Sequence, residues 1–249
     1  TLSSTPPACS DGPALPIAMS DDSSCSRATR PQTGDALRET LVLLLSVLLL
    51  AMVYYHGAPR FVPPRLQFFW WVGLNLTLLL LLPVLVIRFV WGESVSAYGL
   101  ALGNWRVWGR WLLVFLAFMV PVLMISSRMP SLQVFYPRYP WARESMTALA
   151  VSSAGWFLYF LAWEFFFRGF LLNVFLRRHP PAVAIALQTV PFVMMHFSKP
   201  EVEALASIVA GVALGCMAYR GRSMVGAWLL HWCCAFLLDI FVIFWPLVP

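Results

Sequence analysis

Seven windows of this chain contain no Asp, Glu, Lys or Arg: 40–59, 66–87, 111–127, 145–163, 180–198, 204–219 and 223–238. A helix needs about 20 apolar residues to cross a bilayer, with a range of roughly 17–25. Five windows meet that range as they stand. The shorter two meet it when their flanking arginines snorkel toward the surface. The fourth window continues past Glu164 and Arg168 to about Leu176, and the last past Asp239 to about Trp245. Only 11% of the residues are charged, against 60% hydrophobic, where a soluble domain carries about 25% charged residues. So much apolar surface has to face lipid. The chain reads as an all-α, polytopic membrane bundle of seven helices, with an eighth as the alternative.

The segments outside these windows are shorter and more polar. Residues 1–35 are rich in Ser, Thr, Pro and Asp, which predicts a disordered tail and not a signal peptide. The helical domain is then 36–249. "GESVSAYGLALGNWRVWGR", 92–110, is too short and mixed to span, and predicts an interfacial helix. "RMPSLQVFYPRYPWARES", 128–145, predicts an ordered loop at headgroup depth, and the aromatics Trp70, Trp71, Trp105, Trp108, Tyr136, Tyr139 and Trp141 an interfacial belt. "GVALG", with Ala204 and Ser207 before it, is a small-residue stripe that favours close packing within the bundle over dimerisation. The net charge of +6 comes from arginines scattered at span ends, which excludes a nucleic-acid surface. Ten of these basic residues fall on the side of the N-terminus and six on the other, predicting a cytoplasmic N-terminus. The five cysteines form no CxxC pair, so neither a disulfide framework nor a zinc knuckle is indicated.

A charge in mid-bilayer costs at least about 2.5–3.5 kcal/mol, so the polar groups kept inside the spans matter. They are Glu164 and Arg168 on the fourth, His196 at the end of the fifth, and His231 and Asp239 on the last. Glu164 and Arg168 are spaced i, i+4 and share a helix face, as do Phe192 and His196. A carboxylate and two imidazoles from three helices can activate water. The carboxylate acts as base, one imidazole orients the water, and the other stabilises the oxyanion. The same three side chains, Glu164, His196 and His231, could also hold zinc with a position open for water.

At these residues the chain resembles the CPBP intramembrane proteases, the family of CAAX prenyl endopeptidases and bacteriocin-processing (Abi) proteins, in a bacterial branch. The family pattern is Glu-Glu-x-x-x-Arg, then Phe-x-x-x-His, then His-x-x-x-Asn, on three membrane helices. "EFFFRGF" supplies Glu164 and Arg168, "FVMMH" supplies Phe192 and His196, and "HWCCA" supplies His231, with the similarity extending over about 95–245. Two positions depart from the pattern: the first Glu is Trp163, and the Asn is Ala235. Asp239 is the residue expected to restore polarity near Ala235. The resemblance implies an intramembrane endopeptidase of the bacterial inner membrane. Its substrates would be membrane-associated peptides: CAAX-like tails, leader peptides, or C-terminal sorting or anchor segments. Glu164 would be its base, with Arg168 orienting it. The competing expectation is a non-catalytic scaffold or immunity-type protein of the same fold. A proton-coupled transporter is disfavoured by the absence of internal repeats.

Overall fold

The computed structural model describes residues 33–245. The expected polar tail and Cys9 and Cys25 lie outside them, except that Thr33–Asp35 already belong to the first helix. Eight α-helices follow one another: α1 (Thr33–His56), α2 (Pro64–Val90), α3 (Trp105–Ser126), α4 (Pro130–Phe135), α5 (Met146–Phe175), α6 (Pro181–Met194), α7 (Glu201–Gly221) and α8 (Val225–Phe244). All but α4 and α6 are long and apolar enough to cross a membrane. Lipid cannot satisfy a backbone N–H or C=O, so closing every bond within a helix is the solution open to an apolar chain of this kind.

The fifth expected span is shorter than its window. α6 has 14 residues, about 21 Å at 1.5 Å each, against a hydrocarbon core of about 30 Å. Pro191, inside α6, lacks the N–H that the ladder needs. Past Met194 the chain goes on in tighter turns, with His196 N donating to Val193 O and Lys199 N to His196 O. His196 therefore stands in a turn beyond the helix and not within it. The expected interfacial helix at 92–110 is also absent as such. Val95–Tyr98 forms one 3₁₀ turn, Gly99 and Gly103 take positive φ, and α3 begins at Trp105 with Asn104 capping Val107 N.

α5 is the central helix. Half of its most apolar stretch is buried within the protein, against 6% for α3. α2, α8 and the Pro140–Arg143 turn pack on α5, α3 lies along α8 and α7, and α6 pairs with α7. In the last pair a Cβ at Gly211 would stand 2.5 Å from Thr189 Cγ2, and one at Gly215 2.9 Å from Ile185 Cγ2. The small-residue stripe thus serves packing inside the bundle. The expected aromatic belt is only partly one: Trp108 and Tyr136 are buried, and Trp71 stacks on Tyr159 at 4.0 Å between ring centroids.

α5 changes form one residue after Glu164. Phe165–Leu171 is a π-helical stretch, and it lies against a second one, Leu76–Leu81, in α2. Such insertions widen the helix and shift the register of the turns beyond them. Their carbonyls need other donors, and Asn173 supplies one: its Nδ2 donates to Gly169 O at 2.7 Å. That accounts for an asparagine in an otherwise apolar run. Gly169 itself admits the loop before α3, since a Cβ there would stand 2.6 Å from Tyr98 O.

Candidate active site

α5 brings Glu164, the last residue before the π-helical stretch, and Arg168, within it, into the middle of the bundle. Both side chains are fully enclosed, and Arg168 Nη1 lies 3.2 Å from each carboxylate oxygen of Glu164. Removing two charges from water is costly, and their attraction repays it only with further partners. Arg168 has them: its guanidinium carbon lies 4.0 Å from the centroid of the Phe192 ring, and Nη2 is 3.5 Å from Gly211 O. The cation–π contact gains strength where water is excluded. Phe192, the first residue of the Phe-x-x-x-His pattern, thus acts as a cover for the arginine. Gln188, which belongs to none of the sequence motifs, also donates to Gly211 O, at 3.1 Å. Its signal in the sequence is that it is the one amide side chain in its apolar window.

His231 arrives from α8. Its Nδ1 is 2.6 Å from Glu164 Oε1, and its ring stacks on Phe160 at 4.0 Å. A hydrogen on Nδ1 can be donated to the Glu164 oxygen, which leaves Nε2 its lone pair. His196 has a separate place. Its Nδ1 donates to Phe192 O at 2.7 Å, because a carbonyl can only accept, and this too leaves Nε2 as an acceptor. The Phe192 ring lies near both imidazoles, 4.6 Å from His196 and 6.1 Å from His231. The structure thus joins Glu164, Arg168 and His231 directly, and His196 through Phe192.

Trp163 on α5 lies edge-on to His196, with ring centroids 6.0 Å apart. It is buried, and its indole N–H has no hydrogen-bond partner among the described residues. Trp163 also forms part of the wall of a cavity of about 540 Å³, with Trp71, Trp156, Tyr159, Arg138 and Lys199. A volume in that range suits a small ligand or a few peptide residues. Glu164, His196 and His231 do not line it. At its mouth Glu203 accepts from Tyr136 Oη and from Lys199 Nζ, each at 2.6 Å, which ties α7 to the loop after α4. Glu203 is thus a tether between α7 and that loop.

Asp239 takes no part in this cluster. Its Oδ2 accepts from Trp156 Nε1 at 3.0 Å, eight residues along both helices from the Glu164–His231 contact, about 12 Å. It therefore does not restore polarity beside Ala235, which is half-buried among apolar neighbours. A zinc site from Glu164, His196 and His231 does not fit either. Among the described residues no three His, Cys, Asp or Glu side chains are grouped to hold a metal. Glu164 is committed to Arg168 and His231 instead.

Compared with known families, residues 145–237 match the model of "Type II CAAX prenyl endopeptidase Rce1-like". The match runs from α5 through most of α8 and includes every residue of the cluster, but not Asp239. No curated protein and no solved structure matches the chain significantly.

Proposed function

From the Rce1-like character of residues 145–237, we propose that this integral membrane protein is an endopeptidase that cleaves a membrane-associated peptide by activating water at the Glu164–His231 pair. The contact that supports this most is the 2.6 Å bond from His231 Nδ1 to an enclosed, arginine-neutralised carboxylate. A histidine oriented in this way by a buried carboxylate offers Nε2 as a general base.

In the proposed reaction His231 Nε2 takes a proton from water as the oxygen attacks the scissile carbonyl. Glu164 stabilises the imidazolium that forms, and Arg168 pairs with Glu164 and fixes its rotamer. His196 Nε2 accepts a hydrogen bond from the same water and aims it. The N–H of Trp163, in the place of the family's first Glu, donates to the oxyanion; an indole N–H has no acceptor role to play. His231 then returns its proton to the leaving amine, and the amide bond has been exchanged for an acid and an amine. The substrate would be a CAAX-like tail, a leader peptide or a C-terminal sorting or anchor segment held in the aromatic cavity. The count of basic residues supports a cytoplasmic N-terminus, and the resemblance to a bacterial branch supports an inner membrane.

The test is cleavage of a panel of lipid-tethered peptides by the chain reconstituted in vesicles, together with precursor profiling in cells that have or lack the gene. Glu164→Gln and His231→Ala are expected to insert normally and to stop processing. Processing that continues in both would overturn the assignment. One observation favours a second reading, a partner-binding scaffold: the cavity wall carries Trp163 and none of Glu164, His196 and His231. A scaffold keeps its cellular phenotype with Glu164→Gln and loses it when the cavity is filled, as by Ala58→Trp, since Ala58 also lines the cavity.

A further inference from the structure

α3 begins and α7 ends side by side, at the end of the bundle that also holds Arg38, Arg177 and Arg178. Gly103, Asn104, Trp105, Arg106, Arg220 and Arg222 line a concavity of about 720 Å³ there. The junction is built to close tolerances. Asn104 N donates to Gly221 O at 2.8 Å, and Met224 N to Gly99 O at 3.0 Å. Gly103 has φ +56, and a Cβ on it would stand 2.4 Å from Gly221 O, so glycine alone lets the two segments meet. Arg222 has φ 49, the one positive φ of a non-glycine residue among those described.

This construction gathers three guanidinium groups around one concavity whose lining has no carboxylate. Other arginines at this end are neutralised: Arg38 and Arg177 by Glu93, and Arg178 by Glu39. Arg106, Arg220 and Arg222 form no ion pair with a described residue. Their mutual repulsion is relieved if an anion occupies the space between them. The rim is apolar, with Leu102 and Trp105 more than half exposed. Arginines read phosphate oxygens in pairs, and exposed leucine and tryptophan favour the region where headgroup meets acyl chain.

We propose that the concavity between the start of α3 and the end of α7 binds the phosphate of an anionic phospholipid, held by Arg106, Arg220 and Arg222 with the acyl chains lying along Leu102 and Trp105. The site is separate from the Glu164–His231 cluster and stands whether or not that cluster is proteolytic. A basic residue near an anionic membrane surface contributes about a 5-fold gain in affinity, so three correspond to about 100-fold.

The experiment uses the purified full chain in neutral detergent, titrated with phosphatidylglycerol, phosphatidylcholine or glycerol phosphate, and follows Trp fluorescence and the thermal unfolding midpoint. Phosphatidylglycerol is expected to bind and to raise the midpoint, phosphatidylcholine to do neither, and glycerol phosphate to bind at least about 100-fold more weakly. R106Q/R220Q/R222Q is expected to lose the phosphatidylglycerol response, and R88Q, outside the concavity, to keep it. If the triple variant does not fold, each single Arg→Gln change should weaken binding about 5-fold. An equal response to the two lipids, unchanged binding in the arginine variants, or glycerol phosphate binding as tightly as the lipid would overturn the proposal.

Discussion

Glu164 and Glu93 are both held by arginine, and their settings differ in almost every other respect. Glu164 is fully enclosed on α5, with Arg168 one turn along its own helix and His231 on another. Glu93 lies between α2 and α3 at a bundle end, partly exposed, and takes bonds from Arg38 on α1, Arg177 after α5 and the Tyr98 hydroxyl. The outer group joins distant parts of the sequence and works as a clasp. The inner one pairs two residues of α5 and meets α6, α7 and α8 through Phe192, Gly211 and His231. A charged pair kept in the middle of the bundle at such desolvation cost is the better candidate for chemistry.

The largest expected effect separates the two. Glu164→Gln keeps size and shape but loses the charge that orients His231, and cleavage in reconstituted vesicles is expected to fall at least about 100-fold, the lower end of what general-base catalysis contributes. Glu93→Gln should leave cleavage within about twofold. Comparable losses from the two changes would erase the distinction.

A second expectation concerns stability. Arg168→Met leaves Glu164 buried without its cation, and breaking a buried pair from one side costs about 3–5 kcal/mol. The double change E164L/R168M removes both charges and should recover most of that loss while remaining inactive. Denaturation in mixed micelles distinguishes the cases. A double variant as unstable as the single one would mean that the pair holds the fold after all.

A smaller effect is expected at Asn173. Replacing it by Leu removes the side-chain donor to Gly169 O and leaves that carbonyl with the Leu172 N–H alone, at about 0.5–1.5 kcal/mol, the net worth of one hydrogen bond. Hydrogen exchange should quicken in Phe165–Leu171 before it does elsewhere in α5. Uniform change along α5 would mean that the π-helical stretch does not depend on that bond.

The bundle and the family pattern were legible because both rest on local signals: charge-free windows of spanning length, and i, i+4 pairs inside them. The placement of Glu164 against His231 followed from those signals as far as the choice of helices. The π-helical stretch was not legible, since "FFFRGFL" carries no mark that separates a fifth-residue bond from a fourth-residue one. That stretch shifts the register of Arg168 relative to Glu164. His196 was misplaced for a different reason: an apolar window predicts where a helix can run, and Pro191 with Pro200 decided where α6 stopped. Asp239 was expected near Ala235 because one helix face was considered. The bond from Trp156 depends on the antiparallel register of α5 and α8, which is a tertiary property.

The smallest effect belongs to the outer clasp, and it depends on pH. Partial burial alone would raise the Glu93 carboxyl, but hydrogen bonds from Tyr98, Arg177 and Arg38 outweigh it and hold the group down at about 2, from an ordinary 4.5. Burial and the bond to Glu93 in turn push Tyr98 up, so its hydroxyl stays a donor. Between about 4.5 and about 2 the unfolded chain binds the proton and the folded chain does not, so stability falls as the pH falls through that window. Above it the contribution is complete. The unfolding midpoint of Glu93→Gln should therefore lie below that of the native chain at pH 7, by a margin that shrinks as the pH approaches 2. A margin that stays constant with pH would mean that Glu93 acts by shape and packing, and the clasp would then be no more electrostatic than the apolar contacts around it.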